Sequence, residues 1–391
     1  MKTLFKNAKI ILPDRIETGW VTVENGLIAE VGTGETPEAE TGIDCEGLYL
    51  SPGFVELHTH GAGGADFMDG SAEAFETACM MHLKHGTTTL LPTGLAASGV
   101  EIMQLIDNYR EANELLKGRG PRIPGLHMEG PYLCKEQCGA IDPAYIRPPV
   151  EKEYEAFLSH GKGCIKRWTL AIEPEGALQF AKRLREEGIL PSIGHSNAEY
   201  CQVLEGFEAG VTHVTHLYSA MSTITRKGGF RHSGVLESAF CIPDMTVEII
   251  ADGCHIPPEL LEFVYRVKGP DKTCLVCDSM RCAGQNVTES IFGKLGKGQK
   301  VLIEDGVAKM PDRTCFAGSI ATDDRLIRTM VNQAHVPLND AVKMMTLTPA
   351  KIIRMDDEIG SLEKGKRADL IIFDEDINVK SVFVDGVKLA G

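Results

Sequence analysis

With 391 residues, 43% hydrophobic and 24% charged, the chain has ample material for a buried core and the balance of an ordinary globular protein. A formal net charge of −15 argues against nucleic acid or an anionic membrane as a partner, since a polyanion would be repelled. No stretch approaches the ~20 apolar residues of a spanning helix, and Met1–Lys6 opens no secretory signal; with twelve cysteines lacking a framework spacing, a reducing cytoplasm is the expected compartment.

The chain opens in short strands. Lys9–Leu12 precedes Pro13-Asp14, and Trp20–Val23 and Leu27–Val31 flank Asn25-Gly26, a pair that suits a primed hairpin turn. From Phe54 onward the style changes. Apolar runs that read as buried strands (Phe54–Leu57, Thr87–Leu91, Ile123–His127, Arg167–Ala171, Leu190–Ile193, Val211–Thr215, Thr246–Ala251 and Thr273–Cys277) alternate with amphipathic helical stretches such as Ala72–Lys84, Glu101–Leu116, Gly176–Glu187 and Ala198–Glu208. Eight strands with helices between them predict an α/β chain built on a (β/α)8 barrel of the TIM type, closed by helices near Asp324–Gln333, Asn339–Met345 and Pro349–Ile353. The last ~30 residues return to strands, at Ala368–Phe373 and at Val379–Val384 before Asp385-Gly386. The economical expectation is a small β-sandwich domain formed by both termini, residues 1–52 and 360–391, with the barrel at 53–359 inserted between them.

A barrel of this type carries its reactive groups at the C-terminal ends of its strands. Six strand candidates lead into a polar residue there: His58-Thr59-His60 after the first, Glu129 after the third, His195 ending Pro191–His195, His216 after the sixth, His255 in Ala251–His255, and Asp278 after the eighth. In His-X-His on an extended segment both imidazoles face one side, so both reach a central ion. Glu129 adds a carboxylate able to bind one ion or bridge two. His195 and His216 complete a nitrogen- and oxygen-rich set suited to zinc or ferrous iron. A lone histidine is more often structural than a ligand; a whole set at successive strand ends reverses that expectation. His127 and His213 also lie on strands and, by alternation, read as packing groups or supports to the ligands. Cys134 and Cys138 with Cys274 and Cys277 could imitate a four-thiolate zinc site. Cys274 and Cys277, however, stand three apart on a strand and point to opposite faces, which favours buried core cysteines.

These segments also carry a resemblance. Pro52-Gly53-Phe54-Val55-Glu56-Leu57-His58-Thr59-His60-Gly61 resembles the opening signature of the amidohydrolase superfamily. His127–Tyr132, Ile193–Ser196, Thr215–Met221, Ala251–His255, Phe316–Ser319 and Gly360–Leu370 follow in the order found in its N-acetylglucosamine-6-phosphate deacetylase family, over nearly the whole chain. The resemblance implies the barrel and terminal β-sandwich already read. It implies metal ligation by Glu129, His195 and His216, with His58 and His60 available for a second ion, so one or two zinc or iron ions per subunit. It implies release of acetate from an amino-sugar 6-phosphate, with N-acetylglucosamine 6-phosphate going to glucosamine 6-phosphate as the leading expectation, and a homodimer. The departures lie at the sugar end. Ser219-Ala220-Met221 stands where the family usually has Asn-Ala-Met, Arg231-His232-Ser233-Gly234 where it has Arg-Glu-Pro-Gly, Asp278-Ser279 in place of Asp-Ala, and Ile141 in place of a common His. The metal set is intact and the sugar pocket altered. N-acetylgalactosamine 6-phosphate, or another N-acyl compound, therefore stays open as substrate.

On this reading Asp278 takes a proton from the attacking water and gives it to the departing amine, while His255 steadies the developing oxyanion. Ser219, Ala220 and His255 are expected to contact the sugar. Arg231, whose planar fork suits phosphate, is the expected phosphate contact, assisted by His232 and by Arg226-Lys227 nearby. The rival roles are a helix N-cap for Asp278, packing for His255 and a solvated basic loop around Arg231. A non-catalytic barrel would be expected to have lost ligands, and none of the five is missing.

Overall fold

The computed structural model describes residues 2–391. Strands from both ends of the chain make one eight-stranded sheet. Its spatial order runs Val387–Ala390, Val379–Val384, Leu370–Phe373, Tyr49–Pro52, Lys2–Ile11, Ile16–Glu24, Leu27–Gly32, with Thr41–Asp44 also beside Lys2–Ile11. Leu370 lies opposite Pro52 and Phe373 opposite Tyr49, so backbone hydrogen bonds knit the last strands to the first. Asn25 and Gly26 adopt φ of 52° and 78°, the left-handed pair of a primed turn, and the hairpin expected from Asn-Gly is present. The far strand meets the segment before Leu370: Ile28 N–H donates to the Lys366 carbonyl and Gly365 N–H to the Ile28 carbonyl. A core of its own, including Phe5, Ile10, Val21, Leu50, Leu370 and Phe383, packs in this part of the molecule.

Pro52 leads through Gly53 directly into the barrel. A Cβ on Gly53 would lie 2.1 Å from Thr88 Oγ1, so only glycine permits the close approach made here. The barrel strands are β1 (Phe54–Thr59), β2 (Thr87–Leu95), β3 (Leu126–Glu129), β4 (Ile165–Leu170), β5 (Leu190–Ile193), β6 (His213–Val214), β7 (Thr246–Ile250) and β8 (Thr273–Val276). They pair parallel in that order, and each overlaps an apolar run read from the sequence. The expected helices are present as well, from Ala72–Lys84 to Leu347–Ile352. A hairpin (Thr225–Lys227 with Phe230–His232) and a three-stranded sheet (Glu289–Phe292, Gln299–Glu304, Val307–Lys309) have no counterpart in the sequence reading. Much of their surface is exposed, so no apolar periodicity marks them.

Strands β8 and β1 close the ring at the mouth, where Asp278 N–H donates to the His58 carbonyl and His60 N–H to that of Ser279. Glu56, fully buried on β1, finishes the seam: its carboxylate accepts the N–H of His58 at 2.7 Å and of Cys277 at 2.8 Å. Beside it lies Asp323, also buried, accepting from the Thr87 hydroxyl. Burial raises both carboxyl pKa values, that of Asp323 to about 6, and the neighbouring Asp323 carboxylate raises that of Glu56 further. A folded-state pKa above the unfolded one means a contribution complete at low pH and lost as pH rises through about 6. Asp323→Asn, which cannot ionise, is expected to raise the urea midpoint at about pH 8 and to change it little at about pH 5. An equal fall at both pH values would refute the ionisation of buried Asp323 as its cause.

Candidate metal centre and active site

The strand ends deliver their polar side chains to one point. His58 and His60 alternate on and just after β1 and face the barrel axis, while Thr59 between them turns outward to meet His82 Nε2 at 2.8 Å. Glu129 ends β3. His195, His216 and Asp278 follow β5, β6 and β8 with φ of 48°, 29° and 45°. Left-handed backbone costs a non-glycine residue free energy and collects where a side chain must be re-aimed. Here it turns each side chain off its strand and across the mouth.

Glu129 is the hub. Its Oε1 lies 3.1 Å from His195 Nε2, 3.0 Å from His216 Nε2 and 3.5 Å from His58 Nε2; its Oε2 lies 3.1 Å from His60 Nε2. The His195 and His216 Nε2 atoms are 3.1 Å apart, and Asp278 Oδ1 is 3.2 Å from His60 Nε2 and 3.4 Å from His58 Nε2. Ligands ~2.0–2.1 Å from a tetrahedral ion stand about 3.3 Å from one another, so these separations fit a zinc-sized cation. The opposite ring nitrogens decide which lone pairs are free. His58 Nδ1 meets Glu248 Oε1 at 2.8 Å, His60 Nδ1 the Thr93 carbonyl at 3.3 Å and His195 Nδ1 the Gln137 carbonyl at 2.7 Å. Carbonyls and carboxylates accept, so Nδ1 carries the proton and Nε2 offers its lone pair to the centre. His58 Nε2 is buried without a hydrogen-bond partner among the described residues, an orphan that a cation would satisfy. Two donor groups sharing Glu129 result, His58/His60/Glu129 and Glu129/His195/His216.

Electrostatics points the same way. Burial opposes charge on His58, but the carboxylates of Asp278, Glu129 and Glu248 outweigh it and raise its pKa to about 9; His60 is raised by Asp278 and Glu129 against the same opposition. Burial likewise opposes charge on Glu129 and Asp278, yet the imidazoles around them hold both below the usual carboxylate range. The centre demands positive charge, which protons or a divalent ion can supply.

Above the centre opens a cavity of ≈ 220 Å³, walled by Ser219, Ala220, His255 and Asp278 together with Ile141 and Phe316. Asp252 holds His255: its Oδ2 lies 2.8 Å from Nδ1 and its Oδ1 accepts the backbone N–H groups of Cys254 and His255. The His255 ring stands edge-on to Phe316, centroids 4.9 Å apart. Within this chain the structure does not bring Arg231 and His232 to the cavity. They sit on the exposed hairpin, where His232 Nδ1 is 3.2 Å from Glu199 and Lys227 pairs with the same carboxylate. His127 bonds the Thr169 hydroxyl at 2.7 Å, and His213 bonds Thr246 at 2.8 Å and Glu248 at 3.3 Å; neither joins the donor groups around Glu129. All twelve cysteines are free, and Cys274 and Cys277 are buried in the barrel wall.

Four residues of consequence escape the sequence reading: Glu56, Arg167, Glu248 and Asp252. Arg167, fully buried on β4, donates to Glu248, to Ser192 Oγ at 3.0 Å, to Thr215 Oγ1 at 2.9 Å and to the Leu57 carbonyl at 3.2 Å. The signal for such groups is a lone charge within an apolar strand run, as in Phe54-Val55-Glu56-Leu57 and Val247-Glu248-Ile249-Ile250.

Comparison with known proteins fits this geometry. The pattern of the amidohydrolase family matches residues 49–389. N-acetylglucosamine-6-phosphate deacetylase of Haemophilus influenzae is 34% identical over 390 residues, 99% of each chain. N-acetylgalactosamine-6-phosphate deacetylase of a Shewanella species is 32% identical, covering 94% of this chain and 91% of the relative. The crystal structure of N-acetylglucosamine-6-phosphate deacetylase from Pasteurella multocida superposes with a TM-score of 0.92 at 32% identity, over the whole of both chains. By its barrel, the donor groups at its mouth and this full-length likeness, the chain belongs to the amidohydrolase family.

Proposed function

We propose that this enzyme removes the acetyl group from an amino-sugar 6-phosphate, converting N-acetylglucosamine 6-phosphate to glucosamine 6-phosphate and acetate. The observation that carries the reading is the convergence of four imidazoles on Glu129 with Asp278 alongside, at the floor of a cavity. A second reading, N-acetylgalactosamine 6-phosphate, is favoured by the Shewanella relative, nearly as similar as the first, and stays open because Ser219 and Ile141 in the cavity wall depart from the usual sugar pocket.

Glu129, His195 and His216 are assigned to one zinc or iron ion, and His58 and His60 with Glu129 to a second. A divalent ion bound there supplies Lewis acidity, polarising the acetyl carbonyl and lowering the pKa of a water from about 15.7 toward about 7. Asp278, held ionised by His58 and His60 against its burial, is ready to accept the proton of that water. It returns the proton to the amine nitrogen as the C–N bond breaks. Asp252 fixes His255 through Nδ1, leaving Nε2 to accept from a sugar hydroxyl, and Ser219 and Ala220 line the sugar's place.

Arg231 is assigned to the phosphate of a neighbouring subunit's substrate in a homodimer. Its hairpin projects with Phe230 77% exposed and Ile224 54% exposed, an apolar surface suited to burial against a second copy. His232 and Lys227, both on Glu199, steady the hairpin. The same reading treats residues 1–52 with 360–391, and residues 53–359, as two domains of a cytoplasmic enzyme. No helix among the described residues is long and apolar enough to cross a membrane.

Acetate release measured over a panel of N-acetylated hexosamines, with and without 6-phosphate, tests the proposal; no release from any member refutes it. Asp278→Asn is expected to lower kcat by about 10²–10⁴-fold, with the ion at Glu129, His195 and His216 still present by elemental analysis. Substantial turnover in that variant would remove Asp278 from proton transfer. Arg231→Ala is expected to raise KM for the phosphorylated sugar by about tenfold or more, as loss of a charge-assisted contact does. The unphosphorylated sugar should be unaffected, and equal effects on both would overturn the assignment.

A further inference from the structure

We infer that Glu248 is the positioning residue on which the His58 half of the metal centre depends: its carboxylate fixes the tautomer and ring angle of His58 and ties that ring to the His216 turn. The inference rests on the ion-holding role proposed above for the centre.

Glu248 is fully buried on β7, and every polar group on it is a donor. Its Oε1 lies 2.8 Å from His58 Nδ1 and accepts the His216 backbone N–H at 3.0 Å; its Oε2 takes Arg167 and, at 3.3 Å, His213 Nε2. An ionised carboxylate only accepts, so the His58 proton must sit on Nδ1. Without that acceptor the neutral ring is free to carry its proton on Nε2, where the cation has to bind. His60 and His195 are protected from this, because their Nδ1 atoms face the backbone carbonyls of Thr93 and Gln137, which no side-chain change removes. Among the three rings around Glu129 whose Nδ1 is bonded, His58 alone relies on a side chain. The same Oε1 also holds the backbone from which His216 projects, so one oxygen sets the spacing between the two donor groups. Arg167 is the counter-charge that lets Glu248 stay ionised in a dry barrel.

Apoenzyme of the wild type and of Glu248→Leu, which leaves no acceptor facing His58 Nδ1, is titrated with zinc against a chromophoric chelator, and with cobalt, whose d–d absorption reports the donor set. Because Glu248→Leu leaves Arg167 unpaired, a second variant, Glu248→Leu with Arg167→Met, keeps the barrel interior neutral; circular dichroism checks that each is folded. The wild type is expected to take up two ions. Both variants are expected to keep the first and to bind the second about 10–100-fold more weakly, the usual cost of losing a ligand's hydrogen-bonded support. Two ions taken up with wild-type affinity by a folded variant overturn the proposal. So does an equal weakening of both ions, which would make Glu248 a general structural group. A wild type that takes up only one ion removes the half that Glu248 serves, whereas one that takes up none overturns the metal-centre reading itself.

Discussion

A carboxylate buried on the axis of the barrel is the constraint around which the rest is arranged. Glu129 is 3% exposed, and an isolated ionised carboxylate in such a place carries a desolvation cost of at least several kcal/mol. The fold meets it with four Nε2 atoms within 3.5 Å. Those imidazoles need help in turn, since neutral rings must be held in the tautomer that points a lone pair inward. The acceptors behind them (a carboxylate for His58, backbone carbonyls for His60 and His195) are therefore as much a part of the centre as the rings themselves.

Beneath that centre the barrel interior is unusual. Barrels of this kind are ordinarily filled by layers of branched apolar side chains. Here Arg167, Glu248, His213 and His127 occupy part of that space, joined by the hydroxyls of Ser192, Thr169 and Thr215. Buried ion pairs of this sort often contribute little net stability compared with apolar packing. Their retention is understood if they serve geometry, holding the mouth of the barrel in one arrangement whether or not an ion is bound. The left-handed backbone at His195, His216 and Asp278 is consistent with that account. Strained residues persist only where the surroundings over-determine them, and the hydrogen bonds that Glu248 accepts from the His216 turn, with those across the β8–β1 seam, do so here.

The active cavity is incomplete as a phosphate site within one chain. Its wall is formed by His255, Ser219, Ala220 and apolar residues, and no arginine or lysine lines it. The strongly cationic hairpin stands away from it with exposed apolar residues. A dimer in which each hairpin reaches its partner would supply the charge and cover Phe230 in one step, which is why oligomeric state and substrate charge belong to the same question.

Much of this was determined by the amino-acid sequence itself. Strands buried on both faces are mostly apolar, so the eight runs from Phe54 to Cys277 announce their strands, and the polar residue just beyond six of them lies at the mouth by chain geometry alone. That is why His58, His60, Glu129, His195, His216 and Asp278 could be read before any coordinates. The Asn-Gly turn is likewise local chemistry. Only the tertiary structure decided what depends on partners remote in the chain. Glu248 meets His58 across 190 positions, and Glu56 meets Cys277 across 221; pairings at such separations leave no periodic trace. It also decided that Arg231 lies on a projecting hairpin, because the direction of an exposed loop is set by the body it leaves, not by its own residues.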